Sequence, residues 1–238
     1  MQSRPITLVV PFAPGGIADL SARAVAEAMA RRLGQAIVVE NRPSAGSIVA
    51  SSAVAQATPD GHTLLLMSNG HAVAPSLFRK LPYDAQRDFA PIGTLGFFDL
   101  AVVVDARSRF ASLAELLAAA KAQPGRLTLG TIAVGSTQHL AAELLKSSAG
   151  IDVLTVPYKG TPAVLGALRA GEIDAALEIL GPVLGQVQGG ALRVLATTGD
   201  ARSAALPGVP TVREASGLRY AVSSWNALAA PDRKSTRL

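Results

Sequence analysis

Residues 10–19 of the chain read VPFAPGGIAD and separate an apolar run, 6–10, from a segment with helical periodicity. In that segment Val25, Met29 and Leu33 recur at helical spacing, so a strand ends and a helix begins within the quoted stretch. Its prolines stiffen the turn, and its glycines let the backbone come close to a ligand. The first amide groups of a helix lack intrahelical partners and carry a partial positive charge. The stretch therefore predicts an anion-binding turn at the edge of an open α/β sheet.

The same alternation of strand and helix continues through the first part of the chain. Segments 36–40 and 62–67 are strand-like, and the small-residue segment 45–57 between them is helix-like. The turn residues 59–61, PDG, close that helix. This order of elements predicts a parallel, doubly wound sheet.

A second α/β unit begins with the continuous apolar strand 100–104. Helical patterns follow at 113–122, 136–148 and 163–170, and strand patterns at 127–130, 153–156, 173–177 and 192–197. No low-complexity linker separates the units, which favours lobes joined by strands that cross directly between them. We therefore predict a first lobe at 1–99, a second lobe at 100–221, and a return to the first lobe at 222–238. The crossing strands are expected near 100–104 and 220–229.

Two later turns repeat the pattern of the first. Residues 130–139, GTIAVGSTQH, follow a strand and open a helix, where Ser136 or Thr137 either caps the helix or contacts a ligand. Residues 156–162, VPYKGTP, open the next helix, and Lys159 there either attracts an anion or is an ordinary surface lysine. Two such turns that faced each other would hold an anion from both sides.

The composition excludes several other classes of protein. The chain has 238 residues, a formal net charge of +5 and 49% hydrophobic residues, enough for a sizeable core. The positive charge indicates either an ordinary basic surface or a field that attracts anions. Basic residues are scattered apart from the cluster at 233–237, so nucleic acid is not an expected partner. The sequence has no cysteine, so disulfides and thiolate metal sites are excluded.

The sequence does not determine the cellular compartment of the protein. No stretch approaches the roughly 18 apolar residues of a membrane span. No signal peptide precedes the first strand, so the chain is either cytoplasmic or begins where a mature secreted protein would begin.

Catalytic signals are weak. Ser136 and His139 are the one local pair of a hydroxyl and an imidazole, and no third orienting group accompanies them. His62, His71 and His139 lack the spacing of a metal site, and no close carboxylate pair suggests acid–base catalysis. We predict no catalytic residue, no metal and no cofactor.

Ordered motifs along nearly the whole chain resemble those of the tripartite tricarboxylate transporter substrate-binding family, also called Bug receptors. The matching stretches are RPITLVVPF at 4–12, PGG at 14–16 with Asp19 and Ala22-Arg23, VENRP at 39–43, PDG at 59–61 with TLL at 63–65, LPYD at 81–84 with Asp88-Phe89, Gly135-Ser136 with HLA at 139–141, VPYKG at 156–160, Leu195-Ala196, Leu206-Pro207, and VPT at 209–211 with Glu214.

The resemblance implies a two-lobed type II periplasmic binding-protein fold with two crossing strands. It implies a periplasmic receptor that captures a small organic acid (a mono-, di- or tricarboxylate or a related compound) and delivers it to membrane transporter subunits of the tripartite tricarboxylate type. We expect this receptor to be a monomer. The contacts carried over by position are Phe12, Pro14, Gly15, Gly16, Ile17, Ala18, Asp19, Ser68, Asn69, Thr131, Ala133, Gly135, Ser136, Thr137 and Glu178.

The chain departs from the family pattern at several of these positions. Where this chain has Ser44, Ser47 and Ala133, the family usually has glycine. Where it has Thr131-Ile132, the family usually has Ser-Ala, and where it has Glu178, the family commonly has aspartate. We therefore expect the first turn to grip a carboxylate, and we expect selectivity to depend on the residues around 131–133 and on Glu178. The family continues beyond Pro231 with further elements, which the tail 232–238 does not resemble, so we expect the first lobe to be truncated at its C-terminal end.

Three other functions fit the same scaffold. A sensor would present the ligand to a signalling protein. An enzyme would need a reactive group such as Ser136 with His139, and an effector domain of a transcription regulator would carry a helix-turn-helix segment, which the sequence lacks.

Overall fold

We describe residues 4–232 of a computed structural model of the chain. The strands are β1 (Ile6–Val10), β2 (Ile37–Asn41), β3 (Thr63–Ser68), β4 (Phe89–Asp105), β5 (Thr128–Ile132), β6 (Leu154–Tyr158), β7 (Ala175–Ile179), β8 (Leu192–Thr197) and β9 (Ser223–Pro231). The helices are α1 (Ile17–Leu33), α2 (Ile48–Ala55), α3 (Asn69–Leu77), α4 (Leu113–Ala122), α5 (Thr137–Ala149), α6 (Thr161–Ala170), α7 (Leu180–Gln188) and α8 (Val212–Ser216). A short 3-10 helix, Ala45–Ser47, precedes α2.

The chain forms two units and passes between them within two strands. One unit contains the residues up to Gly96 and those from Trp225 onward, and the other extends from Phe97 to Ser224. The passages therefore lie inside β4 and β9. The boundaries predicted from the sequence, 99/100 and 221/222, each differ by about three residues from these positions.

In the first unit, β1 pairs in parallel with β2 and β3, and β9 pairs antiparallel to β3. Alternation along β1 gives each face of this sheet its own apolar layer. Leu8 and Val10 pack with the alanines of α1, whereas Val9 packs with Ala50 and Val54 of α2. Small residues on α1 let the helix lie close to the sheet and bring its first turn to the end of β1.

In the second unit, β5 pairs in parallel with β6 and β7, and β4 pairs antiparallel with β7 and β8. All five residues of β7 are buried, and α5 and α6 pack against this part of the sheet. The α/β class is confirmed, but the sheet is mixed. The expectation of a parallel sheet holds for β1 to β3 and for β5 to β7. It fails at β4 and β9, which run antiparallel to their neighbours.

Three helices were not predicted from the sequence: α3, α7 and α8. Their segments contain breakers or are short, since α3 includes Pro75 and the first turn of α7 includes Gly181 and Pro182. A proline in the first turn of a helix costs no hydrogen bond, so Pro182 is compatible with α7.

Across residues 4–232, no helix is long and apolar enough to cross a bilayer. The basic cluster at 233–237 and nearly all of the tail 232–238 lie outside the described residues.

Candidate functional site

The first turn, residues 11–16, joins β1 to α1 in the first unit. Gly15 has a φ of 88°, in the left-handed region that favours glycine. Gly16 occupies the N-cap of α1 and provides no side-chain cap. An N-cap without a polar side chain leaves the first amide groups of a helix open to an external acceptor. The start of α1 therefore lacks a side-chain cap from its N-cap residue, and anion binding there stays a prediction.

Asp19 holds the first turn in shape from inside the protein. One carboxylate oxygen accepts hydrogen bonds from the Gly15 amide (3.1 Å) and from Arg23 Nε (3.0 Å), and the other accepts from Asn41 Nδ2 (3.0 Å). Asn41 also donates to the Phe12 carbonyl at 2.9 Å. Asp19 is only 3% exposed, so its observed role is to position the turn, and a direct ligand contact by its carboxylate stays a prediction.

The same contacts set the charge of Asp19. Burial by itself would raise the pKa of this carboxyl, but hydrogen bonds from Arg23, the Gly15 amide and Asn41, with the positive charge of Arg23, outweigh burial and hold the pKa below its usual value. Asp19 is therefore ionised at neutral pH. Arg23 and Asn41 were not among the predicted site residues, although both lie in the family-like motifs of the sequence.

The end of β3 adds buried polar groups to the first unit. Ser68 caps the start of α3 only with its backbone, and its hydroxyl has no hydrogen-bond partner within residues 4–232. Ser68 pairs across the sheet with Asn226, whose Nδ2 is likewise unpartnered in the described structure. Asn69, the neighbouring predicted contact, accepts from the Trp225 amide at 3.2 Å through Oδ1.

Ser47 is a third such group. Its hydroxyl is buried without a partner in the described part of the chain, and its backbone is left-handed with a φ of 62°. A buried polar atom without a partner costs about 1–3 kcal/mol, which an ordered water or a ligand group would recover. Ser47 and Asn226 escaped the sequence prediction because only the folded chain reveals which hydroxyl and amide groups are buried.

The second turn, residues 133–136, joins β5 to α5 in the second unit. Gly135 is left-handed with a φ of 83°. The Ser136 hydroxyl accepts from the His139 amide at 3.1 Å, so Ser136 is the N-cap of α5, one of the two roles that the sequence left open. The Thr137 hydroxyl contacts Ser224 Oγ at 3.1 Å, and the Thr131 hydroxyl is buried without a partner in residues 4–232. Ligand contact by these residues stays a prediction.

Glu178, on β7, is fully buried next to the second turn's helix. Its Oε2 accepts hydrogen bonds from Gln138 Nε2 (3.2 Å), from the Thr161 hydroxyl (3.1 Å) and from the Ile179 amide (3.3 Å). Its Oε1 has no partner in the described structure. Burial raises the pKa of Glu178 to about 7, against the opposing effect of the three hydrogen bonds. Gln138 and Thr161 escaped the sequence prediction because they approach Glu178 only through packing of α5 and α6 on the sheet.

Ser136 and His139 do not form a nucleophile–base pair. The hydrogen bond between them uses the backbone amide of His139, and the ring Nδ1 of His139 is buried without a partner in the described residues. Burial lowers the pKa of His139, so the ring is neutral at pH 7. Among residues 4–232, no three His, Asp or Glu side chains lie close enough together to hold a metal ion.

Comparisons with known proteins find relatives across nearly the whole chain. The family described as tripartite tricarboxylate transporter family receptor matches residues 21–237. A UPF0065 protein of Bordetella pertussis is 41% identical over 234 residues, covering 96% of this chain and 71% of that protein. Protein BugT of the same organism is 37% identical over 231 residues, again covering 96% of this chain and 71% of that protein.

Solved structures give the same result for the fold. R. palustris Rpa4515 with adipate has a TM-score of 0.93 and 33% identity, covering 98% of this chain and 78% of that one. MatC from Rhodopseudomonas palustris with bound malate has a TM-score of 0.90 and 32% identity, covering 99% of this chain and 80% of that one. The predicted two-lobed type II periplasmic binding-protein fold is confirmed.

Proposed function

Because the chain belongs to the tripartite tricarboxylate transporter receptor family, we propose that it is a receptor that binds a small carboxylate and does not transform it. The observation that carries this proposal is the first turn, where α1 begins without a side-chain cap and a buried Asp19 fixes the backbone. Such a helix start suits a carboxylate oxygen. Structures of similar proteins with adipate and malate support the choice of ligand class.

The energetics of this arrangement are adequate without an arginine clamp. A charge-assisted hydrogen bond contributes about 1.5–3 kcal/mol. Three or four of them supply much of the roughly 8 kcal/mol that corresponds to micromolar affinity. In the first unit, the buried Ser68 hydroxyl, which lacks a partner in residues 4–232, is a further group that a bound ligand or its ordered water would satisfy.

We further propose that the receptor works in the periplasm and delivers its ligand to membrane subunits of a tripartite tricarboxylate-type transporter. The family description supports this role. The absence of an assembled nucleophile–base pair at Ser136 and His139 fits a protein that releases its ligand unchanged.

A calorimetric screen of mono-, di- and tricarboxylates tests the proposal, with adipate and malate as the first probes. We expect saturable binding of at least one of them. Gly15→Ala is expected to weaken binding tenfold or more, because a Cβ at a φ of 88° strains the turn that presents the amides.

Gly34→Ala is the matched control. Gly34 is also left-handed, with a φ of 61°, but it ends α1 and a Cβ there meets open space. It should cost stability and leave the affinity within about twofold of the unaltered protein. No binding of any carboxylate, or equal loss in both variants, would refute the proposed site.

A further inference from the structure

Glu178 lies where two helices begin. Two of its three hydrogen-bond donors are Gln138, the second residue of α5, and Thr161, the first residue of α6. All three donate to Oε2, so only one of the two carboxyl oxygens accepts these hydrogen bonds. An ionised carboxylate has about four acceptor positions over both oxygens, whereas a neutral acid carries a proton on one of them. The three donors therefore leave Oε1 as the oxygen available to a proton.

No cation balances a negative charge on Glu178. Within residues 4–232, none of its hydrogen-bond donors belongs to a lysine, arginine or histidine, and no charge–charge interaction contributes to its pKa. A buried carboxylate without a cation is strongly disfavoured, which agrees with a pKa raised to about 7.

Among residues 4–232, none of the charged groups on the neighbouring elements is a hydrogen-bond partner of Glu178. On α5, Lys146 pairs with Glu143 at 3.1 Å, and on β4, Asp105 pairs with Arg107 at 2.8 Å. The remaining titratable groups on these elements are His139 of α5, Arg169 of α6 and Asp99 of β4. The segments β5 and α7 carry no charged residue.

A ligand carboxylate at the second turn would share the start of α5 with Glu178. Ser136 caps this helix, and Gln138, two residues later, donates to Glu178. The partial positive charge of a helix start, about half an elementary charge, cannot stabilise two anions as well as one. Asp19 at the start of α1 is paired with Arg23, whereas Glu178 has no cationic partner, so ionised Glu178 and a bound carboxylate oppose each other.

We propose that the receptor takes up a proton on Glu178 together with its carboxylate ligand, so that carboxylate binding weakens as the pH rises above neutrality. This inference rests on the proposed function. It makes ligand release sensitive to local pH, because a carboxylate that dissociates at higher pH leaves an ionised Glu178 behind. The linkage is reciprocal, so bound carboxylate also keeps Glu178 protonated.

Calorimetry with adipate between about pH 6 and pH 8.5 tests the linkage, since carboxylic acids with pKa values near 4 to 5 remain ionised over most of this range. For the unaltered protein we expect the Kd to rise by up to roughly tenfold per pH unit above pH 7. In Glu178→Gln the amide keeps an acceptor for the three donors that serve Oε2 and cannot ionise, so the Kd should change less than about twofold over the same range.

Glu143→Gln is the control, because it removes an equal charge from the same helix away from its start. It should retain the full pH dependence of the unaltered protein. A second measurement needs no variant: titrations at about pH 7.5 in buffers of different ionisation enthalpy should reveal uptake of roughly three-quarters of a proton per adipate.

The outcomes separate the two proposals. Adipate binding without proton uptake, or with an unchanged pH dependence in Glu178→Gln, overturns the inference and leaves the proposed function intact. Failure of every carboxylate to bind overturns the proposed function, and the inference falls with it.

Discussion

Asp19 holds the first turn in shape, because its carboxylate accepts hydrogen bonds from Gly15, Arg23 and Asn41. A buried, ionised aspartate of this kind contributes to stability as well as to the shape of the turn. Its lowered pKa gives that contribution a pH dependence. The stabilisation is present above the unfolded-state pKa of 3.8 and is lost as the pH falls through the lower folded-state pKa.

Replacing Asp19 tests this role. Asp19→Asn is expected to lower the free energy of unfolding by about 2 kcal/mol at pH 7, since hydrogen bonds to a charged acceptor are replaced by weaker ones. The difference from the unaltered protein should shrink as the pH falls below 3.8, where the carboxyl binds a proton first in the unfolded chain and then, at lower pH, in the folded protein. Urea denaturation at several pH values measures it.

The control for Asp19 is Glu27→Gln on the same helix. Glu27 pairs with Arg31 on the surface, and its side chain is 72% exposed. Such a pair contributes little, so this variant should stay within about 0.5 kcal/mol of the unaltered protein. Equal stability of Asp19→Asn and the unaltered protein would show that Asp19 does not hold the turn.

Among the helices, α5 and α4 allow the capping role of Ser136 to be tested apart from its predicted role in ligand binding. Ser136 caps α5 and Ser112 caps α4 in the same way, each accepting from the amide three residues later. Ser136→Ala and Ser112→Ala should therefore each destabilise the protein by about 1 kcal/mol.

The two variants should differ in binding. Only Ser136 lies in the second turn, so we expect Ser136→Ala to weaken adipate binding severalfold and Ser112→Ala to leave it unchanged. Calorimetry beside thermal denaturation measures both effects. Equal affinities in the two variants would place the ligand away from the second turn.

The helices and strands that could be predicted from the sequence are those that a pattern of neighbouring residues indicates. The first turn was found because proline and glycine interrupt a strand pattern before a helical one, and β1, α1 and α5 followed from apolar periodicity. The long strand β4 was recognised only from residue 100 onward, because Pro91, Gly93 and Gly96 resemble turn residues. In the structure this segment is the first part of β4, which neighbours β9 in the sheet.

For the molecule as a whole, the site contacts that the sequence did not reveal depend on packing between distant segments. Asn41 reaches Asp19 and Phe12 because β2 lies beside β1. Ser68 and Asn226 meet because β9 returns to the first unit after a long excursion. The raised pKa of Glu178 likewise follows from burial by α5 and α6, which no local pattern of charges could indicate.

The proposed function requires that the start of α1 holds a ligand carboxylate through backbone amides. A crystal structure of the protein with adipate tests this claim. We predict a carboxylate oxygen within about 3 Å of amide nitrogens at the start of α1, with Asp19 still bonded to Gly15 behind them. Adipate bound away from residues 11–19, or held there by arginine or lysine side chains instead of amides, would contradict the claim.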